Sequence, residues 1–290
     1  MKSKKIVKKV SGVIFLILTI LCLMFLGGFM LASSRGIDLI SDWLLLAALI
    51  GSLLFLGLTL LFLMDLDKKR KIRIIGVEIV AIIAVSVLFS LVKPKEQTIL
   101  SLSPDAKHVF LIKETGDDHG LYYFNNYYLI FARLKEKLPV KGITDYQLTW
   151  VTNETCVLTY QSKDQAMHQY IGTYGGRKIA YSYVLSNLTG GVWESKDGRT
   201  SLTSSGSTGI VIRTDGEIEE YPFEQAVQFG TTALALNDEK NAKWSISLDS
   251  ENEYDDQDEL IKNSQTKIIL LKAGLDDPQK IVLYFKQTSD

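Results

Sequence analysis

The sequence contains few of the residues from which reactive sites are usually built, with two cysteines and three histidines among 290 residues. Cys22 lies in a long apolar run and Cys156 in a segment typical of a strand, so we expect no disulfide between them. The histidines, His108, His119 and His168, lack the spacing of a zinc site. We therefore predict no catalytic residue, no metal site and no cofactor.

Basic clusters are missing from the second part of the chain. Residues 93–290 hold 21 Lys/Arg against 28 Asp/Glu, whereas residues 1–92 hold 11 against 5. Phosphate binding needs clustered Lys and Arg, so the acidic part argues against a nucleic-acid partner. An asymmetry of this size indicates two parts that lie in different surroundings.

Charge is nearly absent from three long apolar runs, at residues 11–32, 43–64 and 74–92. A helix needs about 20 apolar residues to cross the hydrocarbon core of a bilayer. We therefore predict a membrane domain over residues 1–92 with three transmembrane helices, and the lipid bilayer as its partner. The first run could instead be a cleaved signal peptide, but its length and the poor cleavage sequence at residues 30–32 favour a retained helix.

Lysine and arginine predict the orientation of these helices. Residues 2–9 hold five lysines and residues 68–73 hold five basic residues, whereas the loop at residues 33–39 holds only Arg35. By the positive-inside rule both basic clusters are cytoplasmic, which places residues 93–290 outside. Trp43 at the outer boundary fits an aromatic belt. We expect a bacterial multi-pass protein of a cell membrane with a cytoplasmic N-terminus.

Glu78 is the one ionisable residue inside a predicted span. It could form an ion or proton site, because intramembrane carboxylates are often functional. The simpler interpretation is that it lies one turn from the cytoplasmic end, near Arg73, and reaches the interface.

Short alternating segments replace the apolar runs beyond Pro94 and predict a mostly β domain over residues 93–290. Its architecture is expected to be an antiparallel β-sandwich or a small or incomplete β-propeller. A helical turn is expected only at Leu129–Lys137. The predicted strands are His108–Ile112, Leu121–Phe131, Gln147–Trp150, Thr155–Tyr160, Gln169–Tyr174, Ile179–Leu185, Gly209–Arg213, Ala233–Leu236, Trp244–Leu248, Lys267–Lys272 and Lys280–Lys286.

A faint repeat runs through this domain, in which an apolar residue is followed by a polar turn and a strand. The turn residues Asp105, Asn153 and Asp197 are spaced at 48 and 44 residues, close to the period of propeller blades. The string SPDAK at residues 103–107 resembles the SPDGK-type turn of TolB-like propeller repeats, with Ala106 in place of the usual glycine. The resemblance implies a propeller. We expect the three turn residues to be structural rather than catalytic.

Other patterns are weaker. Residues 116–120 could supply metal ligands around His119, but glycine and aspartate are typical of a solvated turn. Asp249–Glu259 holds seven carboxylates but fails the EF-hand pattern, which favours a solvated acidic loop. Ser264–Lys267 matches S-x-x-K without its companion motifs. Ser204–Gly209 favours a hairpin turn over a phosphate loop.

Four tyrosines, Tyr122, Tyr123, Tyr127 and Tyr128, form the only binding surface suggested by the sequence. On exposed faces they could bind glycan or peptide, although neighbouring strand residues point to opposite faces. The sequence thus favours a membrane-anchored protein whose outer β-rich domain binds a ligand or partner, as a sensor or as an accessory subunit with another membrane or envelope protein. The alternative is an extracytoplasmic cell-envelope enzyme with a scattered site.

Overall fold

The structure is a computed structural model that describes residues 2–92, 98–115, 120–128, 130–175, 184–206, 208–256, 259–276 and 278–288. Its internal contacts divide the chain into two compact units. The helical unit comprises residues 1–98 and 122–136, and the sheet unit comprises residues 99–121 and 137–290.

Three long helices form most of the helical unit: α1 (Lys2–Ser33), α2 (Trp43–Leu63) and α3 (Lys68–Val92). Within the described ranges, these three are long and apolar enough to cross a membrane. Helical geometry pairs the backbone groups of such apolar runs inside the segment, as a lipid environment requires. The prediction of three apolar helices is confirmed.

The described part of the chain also contains seventeen strands and two short helical elements. The strands are β1 (Ile37–Leu39), β2 (Thr98–Leu102), β3 (Val109–Thr115), β4 (Gly120–Tyr128), β5 (Phe131–Lys141), β6 (Ile143–Trp150), β7 (Thr155–Ser162), β8 (Met167–Thr173), β9 (Gly191–Ser195), β10 (Thr200–Ser205), β11 (Gly209–Thr214), β12 (Glu217–Tyr221), β13 (Ala226–Phe229), β14 (Ala233–Asp238), β15 (Asn241–Leu248), β16 (Lys267–Lys272) and β17 (Lys280–Thr288). The short helix α4 spans Val184–Leu188, and a 3-10 turn spans Phe223–Gln225.

Two local predictions were wrong. A helical turn was expected at Leu129–Lys137, but residues 131–137 belong to β5, because this strand pairs with β1 from far earlier in the chain. Leu129 lies outside the described residues. The end of the strand expected at Ile179–Leu185 belongs to α4, whose first backbone N–H, at Val184, donates to Gln228 Oε1 at 3.0 Å. Residues 179–183 lie outside the described residues.

Antiparallel packing joins the three helices. The Phe15 ring of α1 lies 5.5 Å from the Phe62 ring of α2, near opposite ends of their sequences. At the other end of α2, the Trp43 ring lies 6.3 Å from the Phe89 ring of α3. Small residues permit close approach between such helices, and a Cβ added at Gly12 would overlap the Leu63 side chain.

Nine antiparallel strands of the sheet unit form one nearly closed, barrel-like sheet in the order β12-β11-β10-β9-β17-β16-β15-β14-β13. The last strand along the chain, β17, lies between β9 and β16. A separate three-stranded sheet has the order β6-β7-β8. The mostly β prediction is confirmed. The strands of the large sheet are continuous rather than divided into blades, so the propeller resemblance is confined to the turn.

Alternating inward-facing residues fill the nine-stranded sheet. Its core includes the fully buried Trp193, Leu202, Ile212, Trp244 and Leu270. On another face, apolar residues of β7 and β8 pack against β14 and β16. At roughly 25 cal/mol per Å² of apolar surface, such side chains supply most of the driving force for folding.

Candidate functional site

A two-lobed cleft lies at one end of the nine-stranded sheet. We call it the sheet-end cleft. Its lobes have volumes of about 460 Å³ and about 380 Å³, which is within the range of small-ligand pockets, and the mouth of a barrel is a frequent place for such sites. The lobes share four lining residues: Thr214, Asp215, Gln279 and Ile281.

The lining of the cleft carries charges of both signs. Lys196, Asp197 and Arg199 come from the turn between β9 and β10, and Asp215 comes from the turn between β11 and β12. The loop between β16 and β17 adds Asp276 in one lobe, and Lys280 begins β17 in the other. Because hairpin turns adjacent in the sheet meet at one edge, the cleft assembles charges that are distant in sequence.

Local interactions hold several of these charges in place. The Ser195 hydroxyl donates to Asp197 Oδ1 at 2.6 Å, and this hydrogen bond is the main reason that the pKa of Asp197 lies below its usual value. Arg199 Nε lies 3.9 Å from Asp197 Oδ2. The Lys196 ammonium stands 5.0 Å from the centroid of the Tyr284 ring, a cation–π distance. Asp197 is therefore ionised at neutral pH.

Thr214 supplies an unsatisfied polar group at the centre of the cleft. Its Oγ1 atom is buried and forms no hydrogen bond with any described residue. A buried hydroxyl without a partner costs free energy. Because solvent does not reach this atom, it is not itself a contact point for a ligand in the cleft.

A hydrogen-bonded cluster connects opposite parts of the nearly closed sheet beside one lobe. Trp244 Nε1 in β15 donates to Glu219 Oε2 in β12 at 3.1 Å, and the Tyr221 hydroxyl donates to the same oxygen. Lys272 lies 5.4 Å from the Trp244 ring centroid. No local sequence pattern marks this cluster, because its members are alternating strand residues whose partners depend on the sheet order.

Glu78 is the notable polar residue of the helical unit. Its carboxylate lies against Gly57 of α2, where an added Cβ would overlap it. Both residues line an apolar groove of about 310 Å³ between α2 and α3, which Arg73 also borders. The Glu78 side chain has no ion pair or hydrogen bond with any described residue. Both hypotheses for Glu78, ion site and interface contact, remain predictions.

Ser162, Asp164 and His168 lie together at the turn between β7 and β8. The Ser162 hydroxyl donates to Asp164 Oδ1 and lies 3.0 Å from His168 Nε2. A hydrolytic triad places histidine between serine and aspartate, whereas here serine lies between the other two. Ser162 is also buried, at 2% exposure, so the cluster has the geometry of a turn and not of a nucleophile.

The same Ser-x-Asp turn recurs three times in the sheet unit. Ser103, Ser162 and Ser195 each donate to the aspartate two residues later. The first and third contain the predicted turn residues Asp105 and Asp197. The hydrogen bonds to Asp105, from the Ser103 hydroxyl first, lower its pKa to about 2.

Asn153 does not belong to this set. In its turn the Glu154 backbone N–H donates to Thr152 Oγ1 at 3.1 Å. The second turn of the set contains Asp164. Asp164 is not part of the repeat of apolar residue, polar turn and strand that predicted Asp105 and Asp197. The string Ser-x-Asp after a strand would have identified all three turns.

The four predicted tyrosines differ in exposure. Tyr123 is buried at 5% exposure, Tyr122 is half-buried, and Tyr128 is 68% exposed. The side chain of Tyr127 is outside the described part of the chain. A binding surface made by all four remains a prediction.

The remaining sequence motifs form no site among the described residues. His119 and its neighbours lie outside them, and no group of three His, Cys, Asp or Glu that are described could hold a metal ion. The described part of Asp249–Glu259 is a mainly exposed loop, and Ser204–Gly209 is the predicted hairpin turn between β10 and β11. Ser264 lies in a loop before β16, outside any helix.

No protein-family model matches this chain, and no curated protein matches it. The fold itself defines the class: three apolar helices of membrane-spanning length joined to a mostly β unit fit a membrane-anchored protein. Among the described residues, the sheet-end cleft and the Glu78 groove are two features that could serve as sites.

Proposed function

We propose that this protein is anchored in a membrane by α1–α3 and presents its sheet unit on the non-cytoplasmic side. There the sheet-end cleft binds a polar ligand that carries charges of both signs, the chemistry of a peptide segment. The protein would act as a sensor or as an accessory subunit of a membrane complex.

The two ends of the helical unit support this orientation. At one end Lys8 Nζ lies 3.2 Å from Asp65 Oδ1, beside the basic start of α3. At the opposite end β1, in the loop between α1 and α2, pairs with β5. The positive-inside rule makes the first end cytoplasmic, so β1 and β5 lie on the other side.

The cleft is the observation that carries the binding proposal. Its paired turns hold Lys196 and Arg199 beside Asp197 and Asp215. A pocket lined by one sign of charge would favour an ion of the opposite sign, but alternating signs complement a zwitterionic or peptide-like ligand.

A matched pair of cysteine variants tests the orientation. Lys69→Cys precedes the apolar part of α3, and Lys240→Cys lies in the exposed turn between β14 and β15. In a Cys22→Ala background, a membrane-impermeant maleimide should label Lys240→Cys in intact cells and Lys69→Cys only after lysis. Labelling of Lys69→Cys in intact cells would reverse the orientation.

A second matched set tests the cleft. The full chain in nanodiscs is titrated with labelled tetrapeptides that carry one lysine and one aspartate, and with neutral analogues. Arg199→Gln and Asp215→Asn should each weaken binding of the charged peptides about tenfold, the loss of one charged hydrogen bond. Arg213→Gln and Glu220→Gln, exposed on the same sheet outside the cleft, should not. Equal losses in both sets, or no binding of any peptide, would reject the proposal.

A further inference from the structure

The tip of the β4–β5 hairpin belongs to the same compact unit as the three helices. We define the hairpin tip as the described residues among 128–134. β1 holds it through the register Leu39↔Phe131 and Ile37↔Arg133. The Ile40 N–H also donates to the Ile130 carbonyl at 2.9 Å. The tip is therefore attached to the loop between α1 and α2.

The hairpin tip reaches along the apolar part of α1. The Phe131 ring lies 6.2 Å from the Phe25 ring. Phe25 precedes the end of α1, Ser33, by eight residues, which is about 12 Å along a helix axis. Phe131 is therefore beside helical surface that must be covered by hydrocarbon if α1 spans a membrane.

Exposed apolar side chains surround this contact. Tyr128, Ile130 and Leu134 are 68%, 36% and 42% exposed. The exposed Arg133 lies between Phe131 and Leu134, and the exposed Lys135 and Glu136 follow directly along β5. Charged residues thus begin three positions after Ile130 in one strand, as in elements that cross the boundary between acyl chains and headgroups, where tyrosine is enriched and arginine side chains extend to the headgroups.

The backbone of the tip meets the requirement that lipid imposes. Polar backbone groups need partners where water is absent. The Ile130 carbonyl accepts from Ile40, and the Leu134 N–H donates to the Gly36 carbonyl at 3.0 Å. The pairing with β1 supplies hydrogen-bond partners for these groups, so they need none from water or lipid.

From these observations we infer that the hairpin tip is inserted into the bilayer interface, with lipid as the partner of Tyr128, Ile130 and Leu134. This inference rests on the membrane anchoring proposed above. It assigns the exposed end of the predicted tyrosine surface to lipid and not to a soluble glycan or peptide.

Spin labels on the full chain test the inference. The labels are placed at Tyr128→Cys, Ile130→Cys and the control Glu136→Cys, in a Cys22→Ala background. Cys156 is fully buried, and burial raises the pKa of its thiol, so it should not react. The protein is reconstituted in vesicles of phosphatidylcholine and phosphatidylglycerol. Collisions with oxygen, which partitions into lipid, are compared with collisions with a water-soluble nickel chelate.

We expect the ratio of oxygen to nickel collisions to be on the order of fivefold higher at residues 128 and 130 than at residue 136, for insertion about 5–10 Å deep. Frequent nickel collisions at both tip positions would overturn the inference in favour of a water-facing surface. Low collision rates with both reagents would overturn it in favour of burial against protein. A label at Val80→Cys, on the exposed side of α3, reports the anchoring separately: if it is oxygen-accessible while the tip is not, the inference fails and the anchoring stands.

Discussion

The Glu78 carboxylate of α3 lies against the backbone of Gly57 in α2, with no room for a side chain at residue 57. A carboxylate in an apolar groove between helices is expensive unless its surroundings accommodate it closely. The absence of a side chain at residue 57 is what allows α2 and α3 to approach at this level.

Gly57→Ala should loosen the contact between α2 and α3, because its methyl group would overlap the carboxylate. The overlapped atoms are the flexible end of the Glu78 side chain, which can move aside, so we expect a cost of about 0.5–1.5 kcal/mol, that of a side chain held off its rotamer, seen as a lower melting temperature of the full chain in detergent. Adding Glu78→Ala should recover most of the loss, since it empties the space. Gly76→Ala is the control, because a Cβ there meets nothing within 4 Å. Additive effects of the two substitutions would disprove the packing relationship.

The three Ser-x-Asp turns provide a prediction from backbone geometry. The residue after each aspartate has a positive φ: 58° at Ala106, 65° at Gln165 and 71° at Gly198. Side chains disfavour this conformation by about 1 kcal/mol. Gly198→Ala should therefore destabilise the protein by about 1 kcal/mol, although the added methyl group would meet no atom closer than 3.5 Å.

The reverse substitutions at the other two turns, Ala106→Gly and Gln165→Gly, should stabilise the protein. Their gain should be of similar size, because the positive-φ penalty and the greater conformational freedom of unfolded glycine enter the forward and reverse substitutions with opposite signs. Chemical denaturation of the unsubstituted protein and the three variants measures these changes in the free energy of unfolding. A gain from Gly198→Ala would show that φ does not control these turns.

Glu219 should be important for the closure of the nine-stranded sheet. Glu219→Ala leaves Trp244 Nε1 without its acceptor, and hydrogen bonds to charged groups contribute about 1.5–3 kcal/mol. We expect a loss of about 2 kcal/mol in the free energy of unfolding, monitored by tryptophan fluorescence. Glu219→Gln should lose less, because its amide carbonyl can still accept. Glu217→Ala, at an exposed position of the same strand, should have little effect. An equal loss of stability there would mean that the loss arises from any alanine in β12 and not from the hydrogen-bonded cluster.

His168 should make stability depend on pH. Desolvation lowers its pKa from 6.5, and the nearby Asp164 only partly opposes this. The unfolded chain therefore binds the proton more readily, so this contribution to stability is complete above pH 6.5 and is lost as the pH falls through the lower folded value. The melting temperature of the full chain should fall between pH 7 and pH 5, and His168→Gln should reduce that slope. An unchanged slope would contradict a role for His168.

The helices and many strands were predictable because local features specify them. Uncharged runs of about 20 residues predict α1–α3, and alternation predicts strands such as β16. The prediction of a helical turn at Leu129–Lys137 was wrong because a distant contact, and not the local sequence, determines the structure there. Pairing with β1, almost a hundred residues earlier in the chain, decides the conformation of β5, and no local pattern contains that information.

The sheet-end cleft could not be predicted for a similar reason. Asp197 was singled out from its turn, but its neighbours in space include Asp215 and Lys280. Asp215 joins it because β11 pairs with β10, and Lys280 joins it because β17 pairs with β9. Gly57 and Glu78 likewise come from separate helices. In the sequence they are an ordinary glycine and an isolated carboxylate, and nothing in either segment indicates that they meet.

The position of β17 has a consequence for biosynthesis. β9 pairs with β10 on one side and with β17 on the other, and β16 also needs β17 as one of its two neighbours. Until the ribosome has supplied residues 280–288, two strands in the middle of the future sheet each have one open edge. Such edges are templates for incorrect pairing, and at about 5–20 residues per second the interval after β9 emerges lasts several seconds. Assembly of this sheet therefore cannot be completed before β17 has been synthesised, and a nascent chain stalled before β17 is a natural substrate for chaperones and proteases.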